Sequence, residues 1–273
     1  MTKPTHIAIA GTNGRMGREL IFGCLSDKNV VLNEALVRAG SLYIGEAAAN
    51  LTELKVDSVK CTSQDEPLNE NTNVLIDFTL PDNLISNMQR CVSRKISMVI
   101  GATGFSKEQQ KMIEEASKQI PIVQASNMSQ GVNLTLVLLR QLTQMLGDNT
   151  TINITETHHI HKKDSPSGTA VTMAEVIANA LNKDLDDCLL PSDPVEHLIL
   201  QPGFIHINSI REGSEMGVHN ISFLMDGEQI DITHKSTSRQ IYAKGAIKAA
   251  AWLQGKKPGL YSMADVLKVS EST

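Results

Sequence analysis

His6-Ile-Ala-Ile-Ala10-Gly11-Thr-Asn-Gly14-Arg15-Met16-Gly17-Arg18 sets an apolar run directly against three glycines spaced three apart. His6 to Ala10 reads as a short strand and the glycines as a turn. Met16, Leu20 and Cys24 then mark one face of a helix. Strand, glycine turn and helix form the local order that a dinucleotide site requires. Glycine allows the tight turn, the close approach of a pyrophosphate and the packing of helix on strand, while the helix start offers N–H groups to the anion. The spacing is GxxGxxG, with Asn13 where the commoner GxGxxG has its middle glycine, and an ordinary βα turn is the plainer alternative. Gly11, Asn13, Gly14, Arg15, Met16 and Gly17 are the candidate nucleotide contacts.

Working outward, Val30 to Val37 predicts a second strand that ends at Arg38. NAD-preferring sites carry an acid at this point for the ribose hydroxyls, whereas a cation accommodates the 2′-phosphate of NADP. Arg38 therefore favours NADPH, with NADH as the second possibility; Glu34 lies too early on the strand. Residues 39 to 72 read as loops with a short helix around Ala47 to Leu51. Val74 to Asp77, Ser97 to Ile100 and Pro121 to Ala125 are further strands, and a helix runs from Pro81 through Cys91. Ligands gather at the carboxyl ends of parallel strands. Phe78, Thr79, Gly101, Thr103, Ser126 and Met128 follow those ends and complete the cofactor candidates, although turn geometry alone explains Gly101 and Thr103 equally well.

Val132 to Leu146 repeats apolar residues every three or four positions and predicts a helix leading into a second domain. The strand Ile152 to His158 follows, then the polar run His159-Ile-His161-Lys162-Lys163-Asp164-Ser-Pro166. Ser167 is placed to cap a helix carrying Val171, Ala174, Ala178 and Leu181. Three imidazoles, two ammonium groups and the start of a helix at Gly168 and Thr169 suit proton transfer and anion binding. The bland alternative is a capped helix beside a wet strand end. A metal on His158, His159 and His161 is a weaker one, because Lys162 and Lys163 repel a divalent cation and no HExxH or cysteine pair supports it. Beyond an irregular stretch from 184 to 202, strands are expected at Phe204 to Ile210, Val218 to Met225 and Gln229 to His234, with an Asp226-Gly227 hairpin. Their succession without helices predicts antiparallel pairing. A final helix follows Ser236-Thr-Ser238-Arg239 and runs through Trp252. Arg239 either meets a substrate carboxylate or is a surface arginine.

The fold class expected is thus a Rossmann-type α/β nucleotide domain with a parallel sheet, residues 1–129 and 237–273. A smaller α+β substrate and oligomerisation domain, residues 130–236, carries a mixed, mostly antiparallel open sheet. The 273 residues suffice for two cores. A net charge of −5 without a long basic run argues against nucleic acid or a membrane surface as partner. Cys24, Cys61, Cys91 and Cys188 form no CxxC pair, which points to a reducing, cytoplasmic setting.

Taken together, the GxxGRMG turn, Asp77-Phe-Thr, Gly101-Ala-Thr-Gly-Phe, the run from Glu156 to Ala170 and Ile232-Thr-His-Lys-Ser-Thr-Ser-Arg239 resemble the dihydrodipicolinate reductase family over nearly the whole chain. The resemblance implies a cytoplasmic homotetramer that reduces a small cyclic dicarboxylate imine with NAD(P)H in the diaminopimelate route to lysine. It implies sheet-mediated assembly and a closing helix packed on the nucleotide domain. Matched residue by residue, His158 is the acid/base histidine and Lys162 the proton donor. His159, Lys162, Ser167, Gly168 and Thr169 hold substrate carboxylates. Three positions depart from the family pattern: Ala102 replaces a threonine, Val37 replaces an acidic residue, and Asp193-Pro-Val-Glu-His-Leu198 replaces a TGxR element. A different two-domain oxidoreductase and a non-catalytic nucleotide sensor are the competing readings. The Ser-Gly-Thr anion site speaks against the first, and retention of His158 and Lys162 against the second.

Overall fold

Ile7 and Ile9 face one side of their strand and Ala8 and Ala10 the other, and all four are buried in the computed structural model, which describes residues 3–190 and 201–268. A strand apolar on both faces belongs at the centre of a covered parallel sheet. β1 (Thr5–Ala10) is such a strand. In chain order it is followed by α1 (Arg15–Ser26), β2 (Val30–Val37), β3 (Cys61–Ser63), β4 (Val74–Asp77), α2 (Pro81–Arg94), β5 (Ser97–Ile100), α3 (Lys107–Ser117) and β6 (Pro121–Gln124). Next come α4 (Gln130–Leu146), β7 (Thr151–His158), α5 (Gly168–Ala180), α6 (Leu185–Cys188), β8 (Ile205–Arg211), β9 (Val218–Met225) and β10 (Glu228–Lys235). The chain continues through α7 (Gln240–Trp252), β11 (Gly259–Tyr261) and α8 (Met263–Leu267).

The chain divides into two units, one of residues 1–130 with 239–273 and the other of residues 131–238. In the first, seven strands lie in the order β11-β6-β5-β4-β1-β2-β3, every pairing parallel. The order reverses beside β1, which is the arrangement of a doubly wound nucleotide-binding sheet. Ile7, Ile9 and Ile76 pack with α1 and α7 on one face, while Ala8, Ala10, Leu75 and Met98 pack with α2 and α3 on the other. Close approach of α7 depends on a glycine: a Cβ on Gly245 would lie 1.7 Å from the Met128 carbonyl oxygen.

In the second unit the order is β10-β9-β7-β8. β9 pairs antiparallel with β7 and β10, as a mixed, mostly antiparallel sheet requires, but β8 pairs parallel with β7 and not with β9, so of the three successive strands only β9 and β10 pair with each other as expected. Parallel neighbours require a crossover, and α5 with α6 supplies it. Ile152, Ile154, Ile205, Ile207, Ile221 and Phe223 form a core with Met173, Ala174 and Ile177 of α5. The opposite face is polar, with Ser222 donating to Asp231 and Thr233 to Asn220 across strands.

Four further elements went unforeseen. β3 and β11 have only three residues each and no alternation to reveal them. α6 lies inside the stretch expected to be irregular. α8 follows Trp252, so the helix ending there is not the last, and its Ser262/Asp265 capping box is a legible sequence signal. Asp193 to Leu198 lies outside the described residues.

Candidate active site

The alternation of β7 explains where the chemistry sits. Ile152 and Ile154 face the core of the second unit, and the same phase carried forward places Glu156 and His158 on that buried face. Register extends the pattern sideways: Glu156 lies opposite His219 on β9 and Ser209 on β8, His219 lies opposite His234 on β10, and His158 lies opposite Arg211. A polar row thus replaces the apolar one at the carboxyl end of β7. Buried polar groups need bonded partners, so their pairing describes the site.

Glu156 is wholly buried. One carboxylate oxygen bonds His158 Nδ1; the other accepts from Arg211 Nη2 at 2.7 Å and from the Ser167 backbone N–H at 3.2 Å. Burial pushes its pKa upward, but the Arg211 and Ser209 hydrogen bonds and the nearby His158 outweigh burial and hold it below the usual glutamate value. Burial pushes the His158 imidazole downward, and Glu156 only partly opposes this. Burial, with His158 second, lowers His219 to about 4. Both rings are thereby favoured neutral near pH 7. They meet edge to face at 5.2 Å.

Ser167 caps α5 by accepting from Ala170 N–H at 3.2 Å, as the sequence predicts, and its hydroxyl also bonds His219 Nε2 at 3.1 Å. With its own N–H given to Glu156 it is 1% exposed. Ser167 therefore supports the site from beneath, while Gly168 is exposed and Thr169 half-buried at the start of α5. Lys162 is ion-paired to Asp164 at 2.8 Å, and that bond is the main reason the Asp164 carboxyl sits below its ordinary pKa. Arg211 Nη2 also donates to the Asp164 carbonyl oxygen at 2.7 Å, tying this loop to β8. His159 donates its backbone N–H to the Glu215 carbonyl oxygen. His159, His219 and His234 each keep a buried Nδ1 with no hydrogen-bond partner among the described residues. His161 and Lys163 are exposed. The loop and helix start thus bring His158, His159, Lys162, Ser167, Gly168 and Thr169 to one end of the sheet. Arg239 belongs to the other unit, immediately before α7.

Arg211 and His219 escaped the sequence reading. Their signal was phase: each continues the buried register of its strand, after Ile205 and Ile207 or before Ile221 and Phe223, where an apolar residue is expected. Glu156, His158 and His219 bring ligand-capable atoms within 4.8 Å of one another. They are not the three histidines a metal would have used by sequence proximity. Glu156 is already bonded to His158 and Arg211, and His219 to Ser167, with Lys162 and Arg211 adding positive charge nearby. That arrangement suits proton handling better than a divalent cation.

In the first unit, the turns after β1, β4 and β5 meet. A Cβ on Gly17 would lie 2.3 Å from the Gly11 carbonyl oxygen, and one on Gly11 would lie 2.9 Å from Thr79 Cγ2. A Cβ on Gly101 would lie 2.3 Å from the Phe78 ring. Buried Asp77 holds the middle turn by accepting from Thr79 N–H at 2.7 Å and Asn87 Nδ2 at 2.8 Å. These contacts form a backbone-lined cradle at the start of α1, where unpaired N–H groups and the helix dipole receive a phosphate. It fits a dinucleotide. Gly14, Arg15, Arg38, Thr103 and Ser126 are exposed, and Asn13 and Met16 half-buried. Glu34 accepts from Thr72 Oγ1 at 2.5 Å and so is occupied inside the fold. Met128 is 1% exposed within the core, so its side chain offers no surface contact. Ala102 is buried among core residues beside α2 and α3. All four cysteines are buried and unpaired, and burial lifts the Cys24 thiol to about 12, far from a nucleophilic thiolate. Among the described residues no helix is long and apolar enough to cross a membrane.

Two family profiles match the chain: "Dihydrodipicolinate reductase, N-terminus" over residues 5–128 and "Dihydrodipicolinate reductase, C-terminus" over residues 131–267. A 4-hydroxy-tetrahydrodipicolinate reductase from Methylococcus capsulatus is 42% identical over 259 residues, covering 95% of this chain and 96% of that protein. Among solved structures, the dipicolinate-bound dihydrodipicolinate reductase from Paenisporosarcina sp. TG-14 has a TM-score of 0.72 at 22% identity, covering 96% of this chain and 98% of that one. An amine dehydrogenase from Mycobacterium smegmatis shares the fold at a TM-score of 0.62 and 9% identity, covering 96% and 95% of the two chains.

Proposed function

The chain belongs to the dihydrodipicolinate reductase family, a family of pyridine-nucleotide oxidoreductases, and on that premise we propose that it reduces 4-hydroxy-tetrahydrodipicolinate to tetrahydrodipicolinate in the diaminopimelate route to lysine. The observation that carries this reading is the union of His158 and Lys162 with an anion-receiving helix start, all built on the end of one sheet.

The first unit holds the nucleotide. Gly11, Asn13, Gly14, Arg15, Met16 and Gly17 receive the pyrophosphate, Arg38 the 2′-phosphate, and Phe78, Thr79, Gly101, Thr103 and Ser126 the nicotinamide side. Met128 contributes through its backbone. NADPH is preferred, because Arg38 is exposed at the end of β2 and the acid earlier on that strand, Glu34, is bonded to Thr72. Loss of the 4-hydroxyl as water leaves a conjugated imine, to which the reduced nicotinamide, when bound, would supply hydride, and the electron-rich product then needs one proton. The residues of the second unit handle charge and protons. Gly168 and Thr169 at the helix start, with His159 and Lys162, bind the two carboxylates; Ser167 shapes that start from below. A substrate carboxylate displaces Asp164 from Lys162. Lys162 then protonates the electron-rich product, and His158 serves as its acid/base partner.

Two properties extend the proposal. Four buried, unpaired thiols suit a reducing cytoplasm. The polar open face bearing Asn220, Ser222, Asp231 and Thr233 is where copies assemble into a homotetramer.

The direct test is loss of NADPH or NADH absorbance with substrate generated in place from pyruvate and aspartate semialdehyde by the preceding synthase. Rapid oxidation that requires that substrate is expected. Lys162→Ala should lower kcat at least about 10²-fold, the usual scale of acid–base catalysis, with nucleotide affinity kept. Near-normal turnover of that variant would remove the role assigned to Lys162.

A further inference from the structure

Glu156 and Arg211 join three parts of the site that lie apart in sequence. Glu156 accepts from His158 Nδ1 on its own strand, from Arg211 Nη2 at 2.7 Å on β8, and from Ser167 N–H at 3.2 Å at the start of α5. Arg211 Nη2 donates in addition to the Asp164 carbonyl oxygen at 2.7 Å, and its Nη1 donates to the Ile210 carbonyl oxygen at 2.7 Å. An ionised carboxylate can only accept, so the imidazole nitrogen facing it carries the hydrogen. The other nitrogen, Nε2, then bears a lone pair. It lies 3.0 Å from the point a Cβ on residue 217 would occupy, and glycine at that position leaves the space beside it clear.

Resting on the reductase reading above, the geometry points to Glu156 and Arg211 as positioning residues that hold His158 in the Nδ1–H tautomer and present Nε2 as a proton acceptor. The division of labour follows. Neutral His158 takes or shares a proton through Nε2, and Lys162 is the group that gives one. Arg211 is required because a wholly buried carboxylate without a cation beside it would take up a proton. It would then become a donor and admit the opposite tautomer. The charged or titratable groups facing His158 are Glu156 on β7, Lys162 on the loop, Arg211 on β8 and His219 on β9.

The tautomer is read by nitrogen NMR of the full chain labelled at histidine, without substrate or cofactor, with His158 assigned by its absence from His158→Asn. At neutral pH the expected spectrum has Nδ1 protonated and Nε2 bare; a protonated Nε2 in the wild-type chain would overturn the proposal. In turnover, Glu156→Gln should lower kcat at least about tenfold, since a wrong tautomer at a comparable buried carboxylate–histidine pair costs up to about 10⁴-fold. Nucleotide affinity should be unchanged. Loss of the negative charge disfavours the imidazolium, so the acidic limb of kcat/KM should move to lower pH by on the order of one unit. A merely structural role would leave that limb in place, and an unmoved limb with wild-type kcat refutes the idea. Arg211→Lys keeps the charge but not the double donation, so partial rescue relative to Arg211→Met is expected; if Glu156→Gln fails to fold, this pair carries the kinetic test. The Nδ1–H tautomer in a chain that does not turn over the substrate would sink the reductase reading and leave the positioning geometry standing.

Discussion

Replacing Gly17 with alanine sets two opposed effects against each other at the start of α1. Gly17 is the third residue of that helix. Propensity alone favours alanine there by about 0.8–1 kcal/mol. Against it, the new Cβ would lie 2.3 Å from the Gly11 carbonyl oxygen, 2.5 Å from Thr12 Cα and 2.7 Å from Thr12 C. All three are backbone atoms of a turn whose Thr12 is itself held by two bonds to the Leu36 carbonyl oxygen, from N–H and Oγ1, each at 3.0 Å. Nothing flexible can swing aside, so the helix start must withdraw by roughly 1 Å to restore ordinary contact, at the ~1–3 kcal/mol typical of overpacking. The net expectation is destabilisation of up to ~2 kcal/mol. The larger effect is on the ligand: a shift of ~1 Å in the N–H groups proposed to hold a pyrophosphate would weaken one or two charge-assisted bonds, or about tenfold to hundredfold in affinity. Urea unfolding without ligand and calorimetric titration with NADPH measure the two parts. An alanine variant more stable by the full propensity term, binding NADPH as tightly as wild type, would refute the argument that this glycine is needed for close backbone packing.

Arg38→Ser should raise the KM for NADPH by about tenfold or more, the scale of one hydrogen bond to a charged group, while leaving NADH almost untouched; equal loss for both nucleotides would move the 2′-phosphate contact elsewhere. Stability should also depend on His219. Its folded pKa is about 4 against an ordinary 6.5, so between those values the unfolded chain binds the proton and the folded chain does not. Stability contributed by neutral His219 is therefore complete above pH 6.5, falls as the pH drops toward 4, and in total amounts to about 3 kcal/mol. Urea midpoints of wild type and His219→Gln at pH 7 and pH 5 check this, and an equal fall in both would clear His219 of the effect.

How far the chain could be read beforehand follows from where period and burial coincide. β1, the glycine turn and α1 were legible because an apolar run abuts residues with a single stereochemical purpose. β7 and the Ser167 cap were legible because a period of two gives way to a polar loop and then to a period near 3.6. The parallel placement of β8 was not, since it depends on a crossover whose path lies in no single residue. β3 and β11 join the sheet edges through three residues apiece, too few for any period to form. Within the candidate site, proximity in sequence found His158, His159 and Lys162. It missed Arg211 and His219, which arrive beside Glu156 through strand register, 55 and 63 positions along the chain.

The side-by-side row of His234, His219, Glu156 and Ser209 gives the second unit a dry half and a reactive half along the same four strands. Isoleucine and phenylalanine fill the first, and acids, bases and hydroxyls fill the second. Because the boundary falls across the strands instead of between elements, each strand carries both an apolar and a polar share of the sheet. Volume-conserving exchanges near Ile154 and Phe223 leave the polar row in place, whereas altering that row demands changes on several strands at once. Such a row would be kept, or lost, as a block.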